Sequence, residues 1–308
     1  GVNLLTFVLF FFVNSPDDMA RIHLGAKRVT PEAIVKWKED HGYNKPLLYN
    51  GEKSGTEKLT DTIFFRHSVS LFAFDFGRSD QGRDIGYDIY QRMWPSLAIA
   101  LPVFLVGILV HVSFAMLLAF FRGTYLDTAG VVLCVIMMSI SALFYVIAGQ
   151  YLVSMLLRLV PISGYDVGLE AVKFLVLPVV VGVVGGIGAS TRLYRTFFLE
   201  EINKDYVRTA RAKGLSELRV LFRHVLKNAM IPILTGVVVV IPLLFTGSLI
   251  LESFFAVPGL GSYTIDAIHS QDFAIVRAMV FLGSVLYIAG LILTDITYTL
   301  VDPRVRLE

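Results

Sequence analysis

The sequence predicts an all-α membrane protein with six transmembrane helices, the first of them truncated at the start of the chain. Residues of hydrophobic type make up 55% of the chain and charged ones only 17%, against about 45–50% and about 25% in soluble domains. The mean hydropathy is +0.68. Apolar stretches approaching or exceeding the roughly 20 residues that cross hydrocarbon recur along the chain. A net charge of +2 gives no reason to expect nucleic acid or an acidic substrate as a partner. The lone Cys134 cannot form an intrachain disulfide and reads as a small buried hydrophobe.

The elements follow in order. Gly1 to Val13 is almost wholly apolar but too short to span, and is read as the remnant of a first transmembrane helix. From Asn14 to Trp94 the chain turns polar, with twelve basic and twelve acidic residues, and is expected to fold as a loop domain. Within it Thr30 and Pro31 start a short helix that presents Ile34 and Trp37 and stops at Gly42. Aromatics crowd Phe64 to Phe76 as a small core or an interfacial belt, and Asp75 to Ser79 reads as a turn. Five apolar stretches complete the count, at about 95–121, 131–157, 174–191, 231–251 and 276–301. The fourth of the six spans, 174–191, carries Gly182, Gly185, Gly186 and Gly188, a small-xxx-small face that lets another backbone approach closely. Pro178, Pro232 and Pro242 are tolerable in or beside spans. The expected division is 1–94, the first helix and its loop, and 95–308, the membrane domain.

The loop at about 192–230 is the informative segment. Between Arg192 and Lys227 it holds nine Lys or Arg against four Asp or Glu, which places it in the cytoplasm, puts both termini there too, and leaves the long first loop on the opposite side. Leu218, Leu221, Phe222, Val225, Leu226, Ala229 and Met230 have helical spacing, with Arg219, Arg223, His224 and Lys227 between them, as in a basic helix lying along the membrane surface. Upstream, Tyr206 to Leu215 reads as a short helix of small and basic residues ended by a turn at Gly214. On charge alone, an ordinary basic loop and a projecting helix-turn-helix knob both remain open.

The run Asp205-Tyr206-Val207-Arg208-Thr209-Ala210-Arg211-Ala212-Lys213-Gly214-Leu215-Ser216, followed by His224, Asn228, Ile231 and Pro232, resembles the signature loop of permease subunits in dipeptide and oligopeptide ABC importers. Arg122 to Asp127, Leu159 to Gly164, Glu252 with Pro258-Gly259-Leu260-Gly261, and Asp302-Pro303-Arg304 resemble that family in its order across essentially the whole chain. Arg208 departs from the general signature, where an acidic residue is usual. The resemblance implies that Tyr206 to Leu215 form a coupling helix seated on one of two separate ABC ATPase subunits, which bind ATP-Mg. It also implies a second homologous permease subunit and an extracytoplasmic substrate-binding protein, in a multi-pass protein of the cell inner membrane. The chain itself has no Gly-x-x-x-x-Gly-Lys-Ser/Thr, His-Glu-x-x-His or Gly-x-Ser-x-Gly run. No catalytic residue, metal ligand or bound cofactor is therefore expected of it, and it would contact membrane lipid but no nucleic acid.

Ionisable residues inside spans are functional candidates by default. His111 lies deep in the second span, where a pore-lining role and an interhelical hydrogen bond are both open, and Asp295 towards the end of the sixth, where structural pairing is expected. Glu252, with Pro258, Gly259 and Gly261, either lines an external gate or caps the exit of the fifth span. The family's cargoes include dipeptides, longer peptides, glutathione, oligosaccharides and nickel, and a single intramembrane His is a poor nickel site. The alternatives of another class are an ion-coupled secondary transporter and a membrane enzyme; no clear inverted repeat with midplane charges favours the former.

Overall fold

The computed structural model describes residues 2–13, 15–25 and 29–301, which form helices and connecting turns with no strand among them. The Asp302-Pro303-Arg304 motif lies outside the described residues. Among the described residues, four helical runs are long and apolar enough to cross a membrane: Ile85–Phe120, Gly168–Ile202, Glu217–Phe254 and Phe273–Thr297. A fifth is added if Tyr125–Ser139 and Ala142–Leu156, which meet at 94°, count as one broken span. The span expected at 131–157 thus falls on this bent pair. Ile140 is extended, and the Ser141 hydroxyl accepts from the Phe144 N–H at 3.3 Å to start a new helix. Val2–Val13 has 12 residues, short of the roughly 20 a span needs.

Two compact units form. One joins the chain up to Arg92 with Tyr263–Val285. It holds α1 (Val2–Val13), α2 (Pro16–Leu24), α3 (Pro31–Asp40), the single turn α4 (Glu57–Thr60) and a π-turn at Phe65–Val69. It also takes in the first residues of α5 (Ile85–Phe120), as well as segments of α13 (Leu260–Ser270) and α14 (Phe273–Val301). Thr30 starts α3 as expected, its hydroxyl accepting from the Ala33 N–H at 3.4 Å, and Gly42 follows the helix at φ +70°. The expected turn at Asp75 forms, its carboxylate accepting from the Gly77 N–H at 3.1 Å. Phe7, Phe11, Met19, Trp37, Tyr43 and Ile63 make the core, with Phe64 edge-on to Phe7 at 5.0 Å. The aromatic run thus contributes to a small core.

Into this core α14 sends Arg277, only 4% exposed, its guanidinium 5.7 Å from the Phe11 ring and 3.4 Å from Nδ1 of His67. Burial, and then the Arg277 charge, pull the His67 imidazole down to about 3. Tyr43, buried beside it, is pushed up by desolvation against the pull of Arg277, while Asp80 and Asp272 face the same cluster. Between pH 6.5 and 3 the unfolded chain binds a proton at His67 that the folded one refuses, so stability rises with pH across that window. Acidification below pH 6.5 is expected to cost this unit up to about 1.4 kcal/mol per pH unit. Trp37 fluorescence in a Trp94→Phe background follows that loss, and His67→Gln should flatten it.

The other unit joins Met93–Ser262 with the chain from Leu286. It contains most of α5, then α6 (Tyr125–Ser139), α7 (Ala142–Gly149) running into a π-helical stretch Gln150–Leu156, and α8 (Ala171–Ile202). After α9 (Asp205–Ala212) comes a composite run: α10 (Glu217–Val220), a π-turn Leu221–Val225, α11 (Leu226–Val238), a 3₁₀ turn Pro242–Thr246 and α12 (Leu249–Phe254). The two helices expected within 192–230 form, and α8 runs into the start of that segment. Tyr194, Phe198 and Ile202 carry α8 well past residue 191, because they pack with Ala115 and Ala119 of α5 and Val225 and Ala229 of the composite run.

The glycine face of α8 receives its neighbours closely. A methyl group on Gly182 would stand 2.9 Å from Val103, on Gly186 2.8 Å from the His111 ring, and on Gly188 2.6 Å from the Cys134 carbonyl oxygen. The expected small-xxx-small contact is thus filled by α5, and Gly188 admits the backbone of α6.

Candidate functional site

Around the signature run, α9 begins at Asp205 and ends on Gly214, whose φ of +78° only glycine adopts without strain. The Gly214 N–H returns to the Arg211 carbonyl at 2.9 Å, so the chain reverses within two residues. Arg211 then grips Glu217 with two hydrogen bonds of 3.1 and 2.7 Å, and Arg122 reaches the same carboxylate at 3.5 Å. The start of α10 is thereby fixed against α9. Val207 and Ala210 are buried in the helical core, at 0% and 5% exposure. The small side chain at Ala210 is accounted for by this inward packing. Exposed on α9 are Asp205, Tyr206, Arg208, Thr209 and Ala212, followed by Lys213. Tyr206 donates its hydroxyl to Glu201, and burial together with that carboxylate pushes the phenol up to about 12.

Behind the knob, Arg195 of α8 clasps Asp127 at 2.8 and 2.7 Å, and the Asp127 carboxylate also accepts from the Gly123 N–H at 3.1 Å. This ties the Arg122 to Asp127 motif to the extension of α8 past residue 191, a pairing across 68 residues that periodicity cannot show. Opposite charges within otherwise apolar or small-residue runs were its only sequence signal.

The other candidate, Glu252, is fully buried. Its carboxylate accepts from the backbone N–H groups of Ser248 at 3.0 Å, Gly261 at 2.7 Å and Ser262 at 3.1 Å, with no cation paired to it among the described residues. Ser96, from α5, accepts from the Leu260 N–H at 2.7 Å beside it. A side-chain carbon at Gly247 or Gly259 would overlap this carboxylate, and one at Gly261 would stand 2.7 Å from the Ser248 backbone. The glycines of the Pro258 to Gly261 motif make room for a carboxylate held in a nest of amides. The Leu159 to Gly164 motif joins the same region: Gln150 donates to the carbonyls of Ile162 at 3.1 Å and Phe254 at 2.9 Å, and Gly164 donates to Phe255 at 2.8 Å.

His111 is buried, and its Nε2–H donates to the Val183 carbonyl at 2.9 Å. Asp295 is exposed on α14, with no ion pair among the described residues. A cavity of about 390 Å³ opens at the bend between α6 and α7, against Gly182 and Gly185 of α8 and Leu251 of α12. No group of three His, Cys, Asp or Glu that could hold a metal occurs among the described residues.

Several apolar helices of spanning length define a polytopic membrane protein. Residues 111–307 match the model of the binding-protein-dependent transport system inner membrane component. Over 313 residues, all of this chain and 94% of the relative, the chain is 32% identical to a putative peptide transport system permease protein of Brucella abortus. It is 30% identical to the dipeptide transport system permease protein of Bacillus subtilis, covering 88% of this chain and 87% of that one. The Escherichia coli dipeptide permease is 26% identical over 99% of this chain and 94% of its own length. The chain belongs to the family of binding-protein-dependent transport system inner membrane components, the permease subunits of ABC importers.

Proposed function

We propose that the chain is one of two permease subunits enclosing the path of an ATP-driven peptide importer, with α9 as its coupling helix. The observation that carries this reading is the knob itself: an amphipathic helix, reversed at Gly214 and locked by Arg211 to Glu217, with Arg208, Thr209 and Ala212 turned outwards. A separate ATPase subunit, which binds ATP-Mg, takes that outward face. The peptide cargo is inferred from what the relatives in Brucella, Bacillus and Escherichia are named for. In the complete assembly the chain supplies six spans with both termini cytoplasmic, and residues 14–94 face the substrate-binding protein outside. Along the path, His111 and the Glu252 nest are placed as supports that hold helices in position.

The test follows from which side of α9 is free. Ala210→Glu would bury a carboxylate in an apolar core and unsettle the knob whatever it docks. Ala212→Glu and Arg208→Glu change exposed positions, where substitutions ordinarily shift stability by only about 0.5 kcal/mol. Both are expected to insert and fold normally, while recovery of ATPase subunits and ATP-driven uptake fall about tenfold or more, corresponding to about 1.4 kcal/mol of lost docking energy. Equal recovery and equal uptake in both variants would remove the coupling assignment.

A further inference from the structure

Between α9 and the composite helix lies a hollow of about 530 Å³, lined by Tyr206, Thr209, Lys213, Arg219, Arg223 and His224 among others. Its charge is one-sided. The cations around it are neutralised within the chain, Arg122 and Arg211 by Glu217, Arg195 by Asp127 and Arg208 by Asp205. Glu201, near its rim, is engaged by the Tyr206 hydroxyl. Lys213, Arg219 and Arg223 meet no carboxylate among the described residues, so three positive charges face a concave space without a counter-ion.

An apolar pair runs beside these cations. Leu218 and Phe222 are 57% and 54% exposed, each one residue before Arg219 and Arg223, so cationic and apolar rows descend the same helix side by side. Exposed apolar side chains continue at Ile231 and Leu234, where the helix becomes a span. An acidic protein surface would satisfy the cations but leave Leu218 and Phe222 in water. A molecule with an anionic head and apolar tails satisfies both rows: guanidinium forks match phosphate geometry, and basic residues next to a span attract anionic lipid.

We propose that this hollow binds the headgroup phosphate of an anionic phospholipid, with its acyl chains along Leu218 and Phe222. Because Thr209 and Lys213 come from α9 and its turn while Arg219 and Arg223 come from the helix entering the fifth span, the bound lipid ties the knob to the bilayer.

The permease complex, purified in nanodiscs containing equal phosphatidylglycerol and phosphatidylcholine, is released and its retained lipids are counted by native mass spectrometry. Wild type is expected to enrich phosphatidylglycerol. The Arg219→Gln/Arg223→Gln pair should lower that enrichment about thirtyfold, from the contribution of two basic residues at a membrane surface. An Arg219→Lys/Arg223→Lys pair keeps the charge and should retain most of it, which controls for folding. Excess inorganic phosphate should leave retention unchanged, because it lacks the tails. Equal retention of the two lipids by wild type, undiminished phosphatidylglycerol in the Gln pair, or displacement by phosphate alone would overturn the proposal. Loss of ATPase subunits from the Gln pair with lipid retention unchanged would assign the hollow to a protein partner instead.

Discussion

Replacing Glu252 by alanine is expected to cost the permease about 3 kcal/mol or more, because several buried amide donors lose their acceptor at once. The carboxylate is fully buried and accepts from Ser248, Gly261 and Ser262, so its removal takes the acceptor from three amide N–H groups. Each buried donor left without a partner costs about 1–3 kcal/mol. The cavity is also closed to repair, since Gly247 and Gly259 have no side chain to move into it. Thermal challenge of a fluorescent fusion in detergent, followed by size exclusion, reads the loss directly. Glu252→Gln keeps one carbonyl oxygen and should fall between wild type and alanine. An alanine variant as heat-resistant as wild type would show that the nest does not hold this segment together. A glutamine variant with full stability but no uptake would reveal that the charge itself serves transport.

The second large effect is expected at Gly188, where the obstacle is backbone. A methyl group there meets the Cys134 carbonyl oxygen at 2.6 Å and the Met138 amide at 3.1 Å, and neither can rotate away as a side-chain end would. Gly188→Ala is therefore expected to lose about 1–3 kcal/mol by overpacking, and Gly188→Val more. Gly236 supplies the control, because a methyl group there enters open space on α11. Gly236→Ala should be neutral, or gain up to about 1 kcal/mol from helix propensity. Melting temperatures of the purified variants measure both. The reverse order, with Gly188→Ala tolerated and Gly236→Ala damaging, would mean that α6 does not pack on the glycine face.

Much of this was open to a reader of the sequence wherever one residue dictates local geometry. Thr30 before Pro31 forces a helix start, Gly214 forces a left-handed turn, and glycines four apart in the fourth span force close packing. Interactions between distant segments were not legible. Nothing near Glu252 marks the amides of Gly261 and Ser262 as its donors, because backbone groups carry no side-chain signature. The inward turn of Ala210 escaped for a related reason: a small residue looks the same whether its space is filled by its own chain or by a partner. At Ser139 to Ser141 the stretch has neither Pro nor Gly, so its apolar composition reads as one span; only Ser141, a good first-turn acceptor, hinted at the 94° break. Arg277 did leave a trace, as a lone cation near the start of the last apolar stretch, but its partners Phe11 and His67 lie more than 200 residues away.

The wide turn at Leu221–Val225 takes up one extra residue between knob and span. A π-turn holds one residue more than an α-turn, and each residue advances an α-helix by about 100°. Removing one residue there would restore ordinary α hydrogen bonding and leave the helix unbroken. Because the five residues of a π-turn and the four of an α-turn each close about one turn, Ile231, Leu234 and the later side chains of the fifth span would keep nearly the same facing relative to Arg219. This short segment therefore acts as slack in the chain: a residue can be lost there without turning the span to which the knob is attached.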